Sequence, residues 1–143
     1  MSLPPQKFRE IVYQILFSTA FVSEELEITA LALMKELKVT KRTVMEACER
    51  VRQLLSKLEA IDAKIRTASD EYQFERISSA EKCALRLGVF ELFFDASLPK
   101  KVAIAESIRL TRKFGTRESA DFVNAILDAV YQNEIKLAAQ PAI

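Results

Sequence analysis

Only two of the 143 residues are glycine, and that scarcity limits the fold more than any other feature. Tight hairpin turns draw on residues that tolerate φ above zero, and phosphate cradles of the Walker or GxGxxG kind need several glycines together. Gly88 and Gly115 stand alone, so such a cradle is excluded. Apolar residues recur instead at i, i+3, i+4 and i+7 over long stretches, the period of an α-helix. Half the residues are hydrophobic, too many for a disordered chain. The length suits one domain, residues 1–143, able to bury roughly 68–70% of its unfolded surface.

Pro4 and Pro5 open a first helix. Its apolar set is Phe8, Ile11, Val12, Ile15, Leu16, Thr19 and Val22, flanked by Tyr13, Phe17 and Phe21, with Lys7, Arg9, Glu10, Gln14 and Ser18 toward water. Residues 24–37 form a shorter helix on Leu26, Ala30, Leu33, Met34 and Leu37. Thr40 is an N-cap for a long third helix carrying Val44, Cys48, Val51, Leu55, Leu58, Ile61 and Ile65. The polar stretch 67–77 reads as a connection. Ser78 with Glu81 makes a capping box for a helix that buries Ala84, Leu85, Leu87, Gly88, Leu92 and Phe93. Glycine inside a helix costs about 1 kcal/mol relative to alanine, so Gly88 predicts a close helix–helix approach. After Pro99 a helix resumes near 103–113 on Ile104, Ile108 and Leu110, and Gly115 ends it in a left-handed cap. Thr116 caps the last long helix, which turns Ala120, Val123, Ile126, Leu127, Val130 and Tyr131 inward. The tail frays from about residue 138. The expected fold is all-α, a compact bundle of six or seven helices.

The absence of histidine removes imidazole zinc sites, Ser–His and Cys–His nucleophile pairs and imidazole acid–base catalysis. Acid pairs such as Asp121 with Asp128, or Glu81 with Glu91, lie two or more turns apart, so no catalytic residue, metal site or cofactor is assigned. Cys48 and Cys83 fall within helical patterns and read as packing thiols. There is no signal peptide, and no apolar run near the ~18 residues of a membrane span. These features predict a cytoplasmic protein with no membrane partner.

Lysine and arginine number 21 against 20 aspartate and glutamate, yet the charge falls in blocks. Residues 1–37 carry −2, 38–66 carry +4, 67–97 carry −3, 98–117 carry +5 and 118–143 carry −3. Alternating blocks on one small domain can present separate basic and acidic faces to different partners. The +5 block holds Lys100, Lys101, Arg109, Arg112, Lys113 and Arg117. It is the strongest electrostatic candidate for nucleic acid, because such side chains neutralise phosphates and release counterions; a solvated helix face is the plainer reading. Phe122, beside the inward Val123, points partly outward and could stack a base or fill the core. A helix-turn-helix reading of residues 116–127 is weakened by Glu118, Asp121 and Asp128, an acidic surface for a groove reader.

The run RISSAEKCALRLGVFEL at 76–92 resembles the signature of NusB, a family of bacterial transcription antitermination factors. The match continues through Pro99, Lys101-Val102-Ala103-Ile104, Glu106-Ser107-Ile108, Phe114-Gly115 and FVNAILD at 122–128. The opening FREIVYQILFS at 8–18 is also similar, and residues 24–66 match in helical pattern and length. The resemblance implies an all-α fold of about seven helices arranged as two packed helical subbundles. It implies a non-enzymatic role, binding boxA-type single-stranded RNA of ribosomal RNA transcripts together with the ribosomal protein NusE. The pair helps load an antitermination complex onto RNA polymerase. The same domain begins certain ribosomal RNA cytosine methyltransferases; the chain ends soon after Asp128, so the free-standing factor is the expectation. Family members vary between monomer and homodimer.

Carried over position by position, the RNA-side residues are Arg9, with Lys7 in the basic start of its helix, and Phe122 with Asn124. The partner-facing residues are Glu81, Arg86, Phe90, Glu91, Glu106 and Glu118, whose acidity suits a basic ribosomal protein. Asp128 has a structural role. The chain also departs from the family. Pro5 and Gln6 stand where arginines are frequent, Asp121 where a basic residue is frequent, and Ala105 and Ala125 replace an Asn and a Gly. Each phosphate left without a cation takes about 0.7–0.9 off the salt slope, so the protein alone is expected to bind RNA weakly and to depend on its partner. The alternative is a protein-interaction module of the same fold with little direct RNA binding; a DNA-binding regulator comes third.

Overall fold

A computed structural model describes residues 4–18, 26–69 and 71–139. These residues form eight α-helices and no strand, and the chain divides into two compact units between Leu58 and Glu59. The fold is all-α with one helix more than the expected seven.

The first unit holds α1 (Pro5–Ser18), α2 (Leu26–Leu37) and α3 (Lys41–Ser56), each packed on the other two. Its core follows the stripe the spacing predicts at Ile11, Ile15 and Leu16 from α1, Leu26 and Ala30 from α2, and Val44, Cys48 and Val51 from α3; further along α3 it is Leu54 that is fully buried, and the expected Leu55 is only half-buried. Thr40 caps α3, its Oγ1 accepting from the Thr43 N–H at 3.2 Å. Arg52 reaches from α3 to Glu27 on α2 at 2.6 Å. The α2 helix ends on Lys38 in the left-handed region (φ 55°), and the Val39 N–H donates back to the Met34 carbonyl at 3.4 Å. That is the Schellman arrangement in which glycine is more usual. Glu10, expected toward water, is only 6% exposed. The expectations for Thr19, Phe21, Val22 and residues 24–25 lie outside the described residues.

The second unit holds α4 (Leu58–Ala68) from its second residue on, α5 (Glu71–Arg76), α6 (Ser79–Phe94), α7 (Lys100–Phe114) and α8 (Arg117–Ala139). Helices α6, α7 and α8 pack mutually around Ala84, Leu85, Leu87, Leu110, Val123 and Leu127. The capping box starts α6 as read: Ser78 Oγ accepts the Glu81 N–H at 3.2 Å, and Glu81 accepts the Ser78 N–H at 3.2 Å. A Cβ built on Gly88 would overlap Ser107 Oγ and lie 3.1 and 3.2 Å from the Leu127 methyl carbons. The predicted close approach is therefore real, and three helices converge on the missing side chain.

Five local expectations change. The long third helix breaks after Ser56, because Lys57 leaves helical geometry (φ −110°, ψ 9°) while its N–H closes on the Leu54 carbonyl; the apolar pattern runs through the break and hides it. The 67–77 connection contains α5, whose Phe74 is 2% exposed and lies under the Arg66 and Lys82 cations at 4.2 and 4.8 Å. Helix α7 begins at Lys100, with the Pro99 carbonyl accepting from Val102 and Ala103, since proline is tolerated at a helix edge. Gly115 is not left-handed (φ −134°, ψ −138°). Its Cβ would instead stand 2.9 Å from the Thr111 carbonyl oxygen, so close approach is what requires glycine there. The tail expected to fray from about residue 138 is still helical to Ala139.

Candidate functional site

The residues carried over to the RNA side divide between the units. In the first, Lys7 is exposed on the opening turn of α1, its Nζ 4.0 Å from the buried Glu10 carboxylate. Arg9 is half-buried. In the second, Phe122 and Asn124 stand on α8. The α7–α8 turn sets their orientation: the Gly115 N–H donates to the Thr111 carbonyl at 2.8 Å, and Thr116 Oγ1 accepts the Ser119 N–H at 3.0 Å, so α8 starts at a fixed point. Val123 is fully buried, Phe122 half-buried and Asn124 exposed. At 100° per residue Phe122 and Asn124 sit about 160° apart. They flank the exposed strip that carries Asp121 and Ala125. An aromatic edge on one flank and an amide on the other can stack one base and hydrogen-bond another.

The partner-side residues lie mostly inside the second unit. Glu118 is exposed on the first turn of α8, and Glu81 is half-buried in its capping box, its Oε1 also accepting from Ser78 Oγ at 2.8 Å. Phe90 and Glu91 are 3% and 2% exposed. Glu106 is buried and accepts from Arg109 Nε at 2.8 Å. Arg86 forms a two-pronged pair with Asp62 of α4. The sequence reading missed Asp62; its only signal was an acid set between the inward Ile61 and Ile65.

The +5 block is sorted by its own contacts. Lys100 Nζ donates to the Leu92 carbonyl at 2.6 Å, holding the end of α6, and stands 5.3 Å from the Phe93 ring. Arg109 is engaged by Glu106. Lys101, Arg112, Lys113 and Arg117 are exposed. A cleft of about 420 Å³ at the α6–α7 turn is lined by Leu92, Phe93, Leu98, Pro99 and Lys100 among others. Lys64 of α4 also lies over Phe93, at 4.5 Å, while paired with Glu134 of α8.

Both thiols are buried and free. Burial pushes the Cys83 thiol from its ordinary 9.0 up to about 12, against the pull of Arg86. Burial also raises Cys48, with Arg52 opposing and Glu27 adding. Neither thiol is poised as a nucleophile. Among the described residues no cluster of three or more Cys, Asp or Glu is placed to hold a metal ion, and no helix is long and apolar enough to cross a membrane.

The model of the NusB family matches residues 6–132. The Chlamydia pneumoniae transcription antitermination protein NusB is 32% identical over 128 residues, covering 90% of this chain and 80% of that protein. The solved structure of T. maritima NusB superposes with a TM-score of 0.76 at 29% identity, covering 92% of this chain and 93% of the other. A solved complex of antitermination factors NusB and NusE with dsRNA contains a chain of like fold, with a TM-score of 0.76, 24% identity, and coverage of 90% and 96%.

Proposed function

This chain belongs to the NusB family, and from that premise we propose that it is a non-enzymatic transcription antitermination factor of ribosomal RNA operons. It acts in the cytoplasm, binding boxA-type single-stranded RNA together with a NusE-type ribosomal protein and helping to load the pair onto RNA polymerase. The observation that carries the reading is the family match over residues 6–132, which includes the Phe122-Val123-Asn124 run displayed on α8. Phe122 supplies a stacking face and Asn124 an amide, while Lys7 and Arg9 supply charge from α1. Glu118 and Glu81 make the direct partner contact. Arg86, Phe90, Glu91 and Glu106, covered by their own unit, hold the surface that the partner meets.

The test is fluorescence anisotropy of a labelled boxA-type RNA titrated with this protein, with and without the NusE-type partner, against a scrambled RNA. Selective binding that tightens with the partner is expected. Partner binding without any RNA selectivity would replace the proposal with the protein-interaction module. That second reading draws on Asp121, exposed between Phe122 and Asn124, which repels phosphate.

A further inference from the structure

Lys101 and Arg112 fall about 20° apart on α7 at 100° per residue, opposite the buried Ala103, Ser107 and Leu110. Lys113 stands about 100° further round as a flanking cation, and the three span about 18 Å of helix. Exposed Ala105 and half-buried Ile108 lie within the row, and no acidic group interrupts it. The single acid of the 98–117 block, Glu106, is buried against Arg109, and no carboxylate pairs with Lys101, Arg112 or Arg117 among the described residues. Arg117 follows on the first turn of α8, seven residues before Asn124 and hence on nearly the same side of that helix.

A protein partner would need apolar anchors at the centre of such a face. Between Lys101 and Arg112 this row offers alkyl stems, one alanine and a half-buried isoleucine, while the exposed Val102 lies about 100° round the helix, beside Lys113. It also lacks an aromatic platform for bases, so whatever it binds is recognised by charge alone. We propose that the outward face of α7, continued by Arg117, is a second RNA surface that takes the phosphate backbone of single-stranded RNA running on from the element read at Phe122 and Asn124, whatever its sequence. The inference rests on the RNA-binding reading above. It locates positive charge that Pro5, Gln6 and Asp121 do not supply elsewhere.

Two labelled RNAs test it, the boxA-type element alone and the same element flanked on both sides by uridine tracts. Each is titrated at two salt concentrations with the full chain plus the NusE-type partner. Replacing Lys101, Arg112, Lys113 and Arg117 by Gln should weaken binding of the flanked RNA by roughly fivefold per phosphate-bound cation removed at 0.1 M salt and flatten its salt slope by about 0.7 for each. The bare element should bind as before. A charge-keeping variant, Lys101→Arg with Arg112→Lys, should retain the flanked-RNA affinity, which separates charge from damage to the fold. Equal binding of the flanked RNA by wild type and the Gln variant overturns the inference, as does a variant that loses only the protein partner. A parallel Phe122→Ala titration keeps the two ideas apart. Loss with Phe122→Ala alone leaves the RNA-binding reading standing without the α7 surface; loss with the Gln variant alone keeps the α7 surface and removes the role given to Phe122.

Discussion

Arg86 and Asp62 meet as two parallel hydrogen bonds, Nε to Oδ1 at 2.8 Å and Nη2 to Oδ2 at 2.9 Å, with side chains only 10% and 12% exposed. The pair fastens α4 to α6, and it holds an arginine otherwise expected to face a partner. Removing one member of a buried pair leaves the other charge uncompensated, at about 3–5 kcal/mol. Asp62→Ala should therefore lower the urea midpoint strongly, whereas Asp62→Leu combined with Arg86→Met should recover most of the loss. A double variant as unstable as the single one would mean that the pair contributes more than mutual neutralisation.

Gly88 gives a second, independent expectation. An added methyl must displace Ser107 Oγ, which donates to the Ala84 carbonyl at 3.1 Å. Overpacking of this kind costs about 1–3 kcal/mol, partly offset by the ~1 kcal/mol helix gain of alanine over glycine. Gly88→Ala should destabilise on balance, and Ser107→Ala in the same chain should cost less than it does in wild type. Additive losses in denaturant unfolding would contradict the steric account.

Alkaline stability should follow the thiols. Folded Cys83 keeps its proton up to about pH 12, while the same thiol in the unfolded chain loses it near its ordinary 9.0. Between those values the native state binds the extra proton, so stability is fully present below pH 9 and falls as pH rises toward 12, by up to about 1.4 kcal/mol per pH unit. Cys48 adds in the same direction. Cys83→Ala should flatten the decline when unfolding is followed from pH 8 to 11; an unchanged slope would place the titrating group elsewhere.

Phe122→Ala should weaken boxA-type RNA binding by about 1–3 kcal/mol, the usual worth of one stacked base. The ring is half-buried, so a thermal midpoint measured alongside separates affinity from stability. Lost stability with unchanged affinity would make Phe122 a packing residue.

The local chemistry of the helix ends was readable from sequence because it depends on neighbours three residues apart. Ser78–Glu81, Thr40 and Thr116 all cap as their types require, and Gly88 sits at a close approach. The break at Lys57 was not readable, since Leu55, Leu58, Ile61 and Ile65 continue the apolar pattern across it. Helix α6 shows why the candidate partner residues could be named but not placed on the surface. Every residue from Cys83 to Leu92 is buried, so α6 has no polar stripe to separate outward from inward, and Arg86 and Glu91 are covered by packing that only tertiary structure reveals. On α8, which keeps an exposed side, the same periodicity placed Val123 inward and left Phe122 on the flank.

The turn at Gly115 has a consequence beyond its hydrogen bond. With two residues between α7 and α8, the start of one helix is clocked to the end of the other. Inserting a single residue there would advance every side chain of α8 by about 100°, turning Asn124 and Arg117 away while leaving composition and charge almost untouched. The length of that joint works as a phase setting, so a change of one residue would erase a binding face that no substitution on α8 had altered.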